Sequence, residues 1–287
     1  MPNIKLLQPR SLDEAVSFLA RDGDQTKIIA GGTALVIMLR NHLISPAALL
    51  SLGHLQALNY IRHEPGTGLR IGGLVKIREA EKSSVIGNRQ PALAATFARV
   101  GNVRVRNAAT VAGNLSEADY ASDPPCVLVA LRAKVKACSA RGEREIPLTE
   151  FFKGFYETAL APDEILTELI VPDLNPASRL VYIKYVSRSS EDRPCVGMAA
   201  VLENQPDGTC KDLRLVAGAV AETPQEFAGA GALARGKHLT DSLIEEIAQA
   251  FSSDIEPLSD LRGSAWYRKQ IVRVMARRAI QQALAVD

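Results

Sequence analysis

At 287 residues the chain has room for two domains of ordinary size and a real core. Hydrophobic residues at 47% and charged residues at 23% fit a globular protein, and a net charge of +2 with no dense Lys/Arg run excludes a nucleic-acid binder. No run of roughly 18 apolar residues occurs, so no transmembrane helix is expected, and Met1-Pro2-Asn3-Ile4-Lys5 lacks a signal-peptide core, which predicts a cytoplasmic protein.

Ser11-Leu12-Asp13-Glu14 has the spacing of a capping box, and Leu12, Ala15, Val16 and Leu19 follow at helical spacing up to Gly23. A short strand, Lys27-Ile28-Ile29-Ala30, runs into Gly31-Gly32-Thr33, and an apolar helix over residues 34–41 precedes a strand at 48–52. Helix, strand, helix, strand is a small α/β unit. Residues 58–61 and 69–71 flank the turn-rich Glu64-Pro65-Gly66-Thr67-Gly68 and predict a hairpin. Helices are expected at 77–82, 91–99 and 125–132, with strands at 134–138 and 164–171; residues 101–123 show no clean period and read as loop. Pro172-Asp173-Leu174-Asn175-Pro176 is the best domain boundary. Beyond it come strands at 180–186, 196–203 and 213–220, then helices at 225–235, 241–251 and 266–284, an α+β order.

Two loops carry chemistry. Gly31-Gly32-Thr33 lies between a strand and a helix, where close backbone approach and free amides suit a pyrophosphate; a tight turn with no ligand is the alternative. Thr110-Val111-Ala112-Gly113-Asn114 is a second small-residue loop able to cradle phosphate through backbone donors. Asp123, downstream, either accepts from a ligand hydroxyl or caps the helix that follows.

These residues together resemble a known family. Lys27-Ile28-Ile29-Ala30-Gly31-Gly32-Thr33-Ala34-Leu35 is similar to the first FAD loop of the flavoprotein (medium) subunits of molybdenum hydroxylases of the carbon monoxide dehydrogenase and xanthine dehydrogenase type. Val103-Arg104-Val105-Arg106-Asn107-Ala108-Ala109-Thr110-Val111-Ala112-Gly113-Asn114 resembles their second loop, Q-[VI]-R-N-x-G-T-[IV]-G-G-N. Ser122-Asp123-Pro124-Pro125 fits their downstream aspartate, and Ser264-Ala265-Trp266-Tyr267-Arg268-Lys269 with Arg278-Ala279 is similar to their S-A-x-Y-R…R-A helix. Four matches in one order are far more specific than any one of them.

The resemblance implies an α+β chain. A PCMH-type FAD-binding domain, 1–175, would hold two α/β subdomains at about 1–56 and 57–175, and residues 176–287 would form an α+β domain on a three-stranded antiparallel sheet. By the same resemblance, Lys27 to Leu35 and Thr110 to Asn114 would wrap the FAD pyrophosphate, and Asp123 would bind a cofactor hydroxyl. Ile165 or Leu166 would line the adenine or flavin pocket, Lys184 would approach the isoalloxazine, and Val100 would lie against the cofactor. No catalytic side chain and no metal ligand is expected in this chain. A large molybdenum-cofactor subunit and a small subunit with [2Fe–2S] clusters are the implied partners, in a dimer of heterotrimers. Electrons would pass from the clusters through FAD to NAD⁺, a quinone, oxygen or another acceptor.

Ala112 and Ala109 stand where the family uses glycine, and Ala34 replaces a common acidic residue; a methyl at Ala112 requires a negative φ. Two rivals differ in kind: a stand-alone FAD oxidoreductase of the same fold, and a flavin-free scaffold subunit. Flavin content and co-purifying subunits separate them. Gly229-Ala230-Gly231-Ala232-Leu233-Ala234 imitates a dinucleotide fingerprint but has no strand before it, so a closely packed helix is expected. The four cysteines form no C-x-x-C pair and read as reduced thiols, and the histidines show no metal spacing. The basic residues Arg268, Lys269, Arg273, Arg277 and Arg278 read as a solvated helix face.

Overall fold

In the computed structural model, which describes residues 4–285, the chain opens as its capping signals direct. Ser11 accepts from the Glu14 amide at 3.1 Å, and the Glu14 carboxylate accepts from the amide of Arg10, one residue before the cap. The helix Leu12–Asp22 turns Ala15, Val16 and Leu19 into a small core shared with Leu50 and Leu52. Its sheet is parallel and three-stranded, with Ala48–Ser51 between Lys5–Leu7 and Thr26–Ile29.

The expected hairpin forms from Ile61–Glu64 and Gly68–Gly72. It belongs to a five-stranded antiparallel sheet completed by Ile165–Val171, Lys134–Ser139 and Gly142–Pro147. Ile165–Val171 is buried along its whole length because it is covered on both faces. Ile165 joins the core under the first sheet, while Leu166, Leu169 and Val171 join the main core. Glu168 tolerates burial in this strand because Arg70 and the Tyr60 hydroxyl each donate to it at 2.6 Å.

Residues 101–123, expected as loop, contain two short helices, Val103–Ala108 and Val111–Glu117. Side-chain caps replace periodicity as their organising force. Asn102 accepts from the amides of Arg104 and Val105, and Thr110 accepts from the Gly113 amide at 3.0 Å.

The C-terminal sheet has four antiparallel strands rather than the three expected. Ser178–Tyr185, Val196–Asn204 and Cys210–Gly218 are joined by Gln225–Glu226, an edge strand too short to show any period. The helix expected from residue 225 therefore begins only at Gly229 and ends at Ala234, packing Ala230 and Ala234 into the core. One face of the sheet carries Asp241–Asp254 and Ala265–Leu284. The other face, through Ala199, Val201 and Val216, joins the main core around the helix Asp123–Ala130.

The basic helix is not one solvated face. Arg268 is 0% exposed and donates to Asp260 at 2.6 Å and to the carbonyls of Leu258, Gly263 and Cys195. Burial works against ionisation of Asp260, yet the Arg262 amide, the Tyr120 hydroxyl and Arg268 hold its carboxyl below the ordinary range. Helical spacing alone could not separate this inward arginine from Arg273 and Arg277, which reach Glu245 from the same helix.

Candidate functional site: two backbone loops and a buried ion pair

The strand Thr26–Ile29 places Lys27 outward and leaves Ile28 and Ile29 half-buried. Ala30 then leads into a turn at Gly31-Gly32, where Gly32 has a φ of +68° that a residue with a Cβ adopts only under strain. Gly31 is there for a different reason. A Cβ on it would lie 2.2 Å from the Ala108 carbonyl oxygen and 2.8 Å from the Ala109 Cα. The two loops that the sequence holds far apart are therefore in backbone contact.

Their free donors point to an anion. The amides of Gly31, Gly32, Thr33 and Ala34 donate to no acceptor among the described residues. The helix Leu35–Arg40 follows at once, so the run of open N–H groups ends at a helix start. In the second loop the Ala112 amide is likewise without an acceptor, whereas Gly113 donates to Thr110 Oγ1 and Asn114 to the Thr110 carbonyl. Hydrogen bonds from the Val111 amide to the Val75 carbonyl and from the Ile77 amide to the Ala109 carbonyl pin this loop to its neighbour. Ala112 keeps a negative φ at the second position of its helix, so the methyl there costs no strain. Ala34 sits at the N-cap of the next helix with a φ of −98°.

Asp123 does not cap its helix; Ser122 occupies that position, with its hydroxyl bonded to the Asn114 side chain. Asp123 lies in the first helical turn, 4% exposed, where Tyr182 Oη donates to Oδ1 at 2.7 Å and Lys184 Nζ donates to Oδ2 at 3.0 Å. Tyr182 and Lys184 are two residues apart on one strand and so share a face. Lys184 also donates to the Arg99 carbonyl at 2.8 Å, beside the buried Val100. Burial pushes the Asp123 carboxyl above its ordinary value, against the pull of Lys184 and the Tyr182 hydroxyl. The Tyr182 phenol is pushed far up, first by burial and then by the Asp123 charge.

The other expected positions divide. Leu166 belongs to the main core with Ala112, whereas Ile165 faces away from that loop into the core of the first sheet. Tyr182 was not singled out in the sequence, although its place two residues before Lys184 is the signal that finds it. Among the described residues no cluster of His, Cys, Asp and Glu could hold a metal, and no helix is long and apolar enough to cross a membrane.

Residues 2–174 match the family described as FAD binding domain in molybdopterin dehydrogenase, and residues 181–283 match CO dehydrogenase flavoprotein C-terminal domain. The chain belongs to the FAD-binding medium subunits of the molybdenum hydroxylases, of the carbon monoxide dehydrogenase and xanthine dehydrogenase type. It is an oxidoreductase subunit. It is 33% identical over 281 residues to the glyceraldehyde dehydrogenase medium chain of Sulfolobus acidocaldarius, covering 98% of both chains. The carbon monoxide dehydrogenase of Hydrogenophaga pseudoflava superposes with a TM-score of 0.94 at 30% identity, covering 99% of this chain and 98% of that one. Quinoline 2-oxidoreductase from Pseudomonas putida 86 gives a TM-score of 0.92 at 30% identity, over 99% and 97% of the two chains.

Proposed function

We propose that this chain seats one FAD between its two backbone loops and relays electrons within a molybdenum hydroxylase. Electrons would come from [2Fe–2S] clusters of a small partner subunit and leave for an external acceptor, the substrate being oxidised at a large molybdenum subunit. The observation that carries this reading is the contact of the two loops with their unpaired amides at Gly31 to Ala34 and Ala112. Such groups suit the diphosphate of a dinucleotide.

Bound FAD would supply the redox chemistry at its isoalloxazine. The protein's own work is binding and orientation. Residues 27–35 and 110–114 would hold the diphosphate by main-chain donors, without a basic side chain. Asp123 retains a free lone pair on each oxygen for a cofactor hydroxyl, and Lys184 retains one N–H beyond the two it uses. Leu166 and Val100 would supply apolar walls; Ile165 would act only from the far side of the strand. The half-exposed apolar residues Val36, Ile37 and Leu43, close together in sequence after the first loop, suit a chain that is covered by partner subunits in a heterotrimer and its dimer.

The test is purification together with the neighbouring subunits. One flavin per chain, bleached by substrate only while the small iron–sulfur subunit is present, is the expected result. A colourless chain that also takes up no added FAD would establish a flavin-free scaffold instead. Flavin bleaching by substrate in the isolated chain would establish a stand-alone oxidoreductase.

A further inference from the structure

The proposed flavin seat has an anion cradle, at residues 31–34 and 112, and a wall that includes Val100 and the Asp123–Lys184 pair. The turn Arg99-Val100-Gly101 connects them. It follows the helix Pro91–Ala98, and Gly101 carries it through a φ of +46° that a residue with a Cβ adopts only under strain. Three successive carbonyls of this turn accept from side-chain cations. Lys184 Nζ donates to that of Arg99 at 2.8 Å, and Arg106 Nη1 donates to those of Val100 and Gly101 at 3.1 Å and 2.9 Å. Because Lys184 also donates to the Asp123 carboxylate, a shift of the turn is passed on to Asp123.

Arg106 lies on the helix Val103–Ala108, directly ahead of the second anion loop. Its Nε donates to Glu81 Oε2 at 2.9 Å, and Arg78 donates to the other Glu81 oxygen. Burial works against ionisation of Glu81, yet Arg78 and Arg106 hold its carboxyl below the ordinary range. Side-chain exposures of 13% for Arg106 and 15% for Glu81 leave water a poor substitute for either partner. Glu81 belongs to the helix Ile77–Lys82, about one turn beyond Ile77, whose amide donates to the Ala109 carbonyl at 2.9 Å. One short helix therefore pins the anion loop through its main chain and grips Arg106 through a side chain.

We propose that Arg106 is a positioning residue for the flavin, fixing the Val100–Lys184 wall at a set distance from the anion cradle. The proposal rests on the reading of that cradle as the flavin seat. A guanidinium suits this task because its nitrogens point in different directions from one rigid plane, so Nε can hold Glu81 while Nη1 holds the turn. A lysine ammonium carries its donors on a single nitrogen and cannot span both.

Titration of the flavin-free full chain with FAD and, separately, with ADP tests this, because ADP needs only the anion cradle whereas FAD needs the wall as well. In Arg106→Lys the loop keeps its main-chain bonds to Val75 and Ile77, so ADP affinity should be unchanged. FAD should bind about tenfold more weakly, the loss expected for one hydrogen bond from a charged donor, and the visible circular dichroism of bound flavin should change. Arg268→Lys takes the same fork from a buried arginine of the C-terminal half; it should lower the melting temperature and leave both affinities and the dichroism as in the wild type. Gly101→Val disturbs the turn with Arg106 intact, since a β-branched residue holds a positive φ only under strain, and should give the same split between FAD and ADP. Equal losses of FAD and ADP, or unchanged FAD affinity in Arg106→Lys and Gly101→Val, would overturn the role of Arg106 alone. A wild-type chain that takes up no FAD would overturn the flavin reading and this role with it.

Discussion

Gly31→Ala is the sharpest perturbation of the candidate site, because its effect follows from one distance. The new methyl would lie 2.2 Å from the Ala108 carbonyl oxygen and 2.8 Å from its carbon, where ordinary contact begins at 3.4 Å. Both neighbours are backbone, so neither can rotate away, and the loops must part by about an ångström. Overpacking of this kind costs about 1–3 kcal/mol of stability. The larger effect falls on the cofactor. A charge-assisted hydrogen bond to phosphate is worth about 1.5–3 kcal/mol, so misaligning one or two of the amides should weaken FAD by roughly a hundredfold. Titration of the apoprotein with FAD, followed by quenching of flavin fluorescence, reads that affinity, and calorimetry reads the stability. A variant at least as unstable but with the lesion elsewhere, Arg268→Met, should keep its flavin affinity. The reasoning fails if Gly31→Ala binds FAD as tightly as the wild type, or if both variants lose flavin alike.

Two further outcomes follow from buried charge. Arg268→Met leaves Asp260 with Tyr120 and Arg262 but takes a donor from each of three backbone carbonyls, and should cost about 3–5 kcal/mol in urea unfolding; a loss below about 1 kcal/mol would restore the solvated-face reading. Glu117 is pushed up to about 7, first by burial and then by Asp119, with Arg193 opposing. Between its ordinary value of 4.5 and about 7 the folded chain holds a proton that the unfolded chain releases, so stability falls as pH rises through that window and levels above it. Allowing for solvent at its partly exposed carboxyl, the loss is on the order of 1–2 kcal/mol. Glu117→Gln should remove it, raising the melting temperature at about pH 8 and leaving it nearly unchanged at about pH 4, below the window; an equal shift at both values would show that ionisation is not the cause.

What the sequence made legible was what local physics dictates. The Ser11 cap, the 61–64 and 68–72 hairpin and the long buried strands carry their own signals, and each forms close to its expected place. The two short helices around Thr110 were missed because six and seven residues hold too few turns for a period. Their caps, Asn102 and Thr110, are the residue types that could have revealed them. The edge strand Gly142–Pro147 was missed because it exposes its first four residues and so lacks alternation. Gly31 and the Thr110 loop were legible as candidates; that Gly31 is needed for contact with Ala108 is a non-local fact. The same holds for Asp123, whose partners Tyr182 and Lys184 lie 59 and 61 residues away.

That last pairing explains why the C-terminal sheet is more than an appendage. Asp123 comes from the region that matches the FAD-binding family, and Lys184 from the region that matches the flavoprotein C-terminal family. The helix between them, Asp123–Ala130, has all eight residues buried, pressed between the FAD-binding half and the strands Val196–Asn204 and Cys210–Gly218. Arg214 reaches across to the Ala130 carbonyl at 2.6 Å, and the Cys126 thiol donates to the Val216 carbonyl at 3.1 Å. A chain cut at the linker would leave Asp123 without its cation and that helix with one apolar side in water, each a cost of several kcal/mol. The geometry of Asp123, and with it the far wall of the candidate flavin seat, is therefore a property of both halves together. The amide loops need only the first half. In the proposed reading, anion binding and cofactor orientation would thus have separable structural origins in this fold.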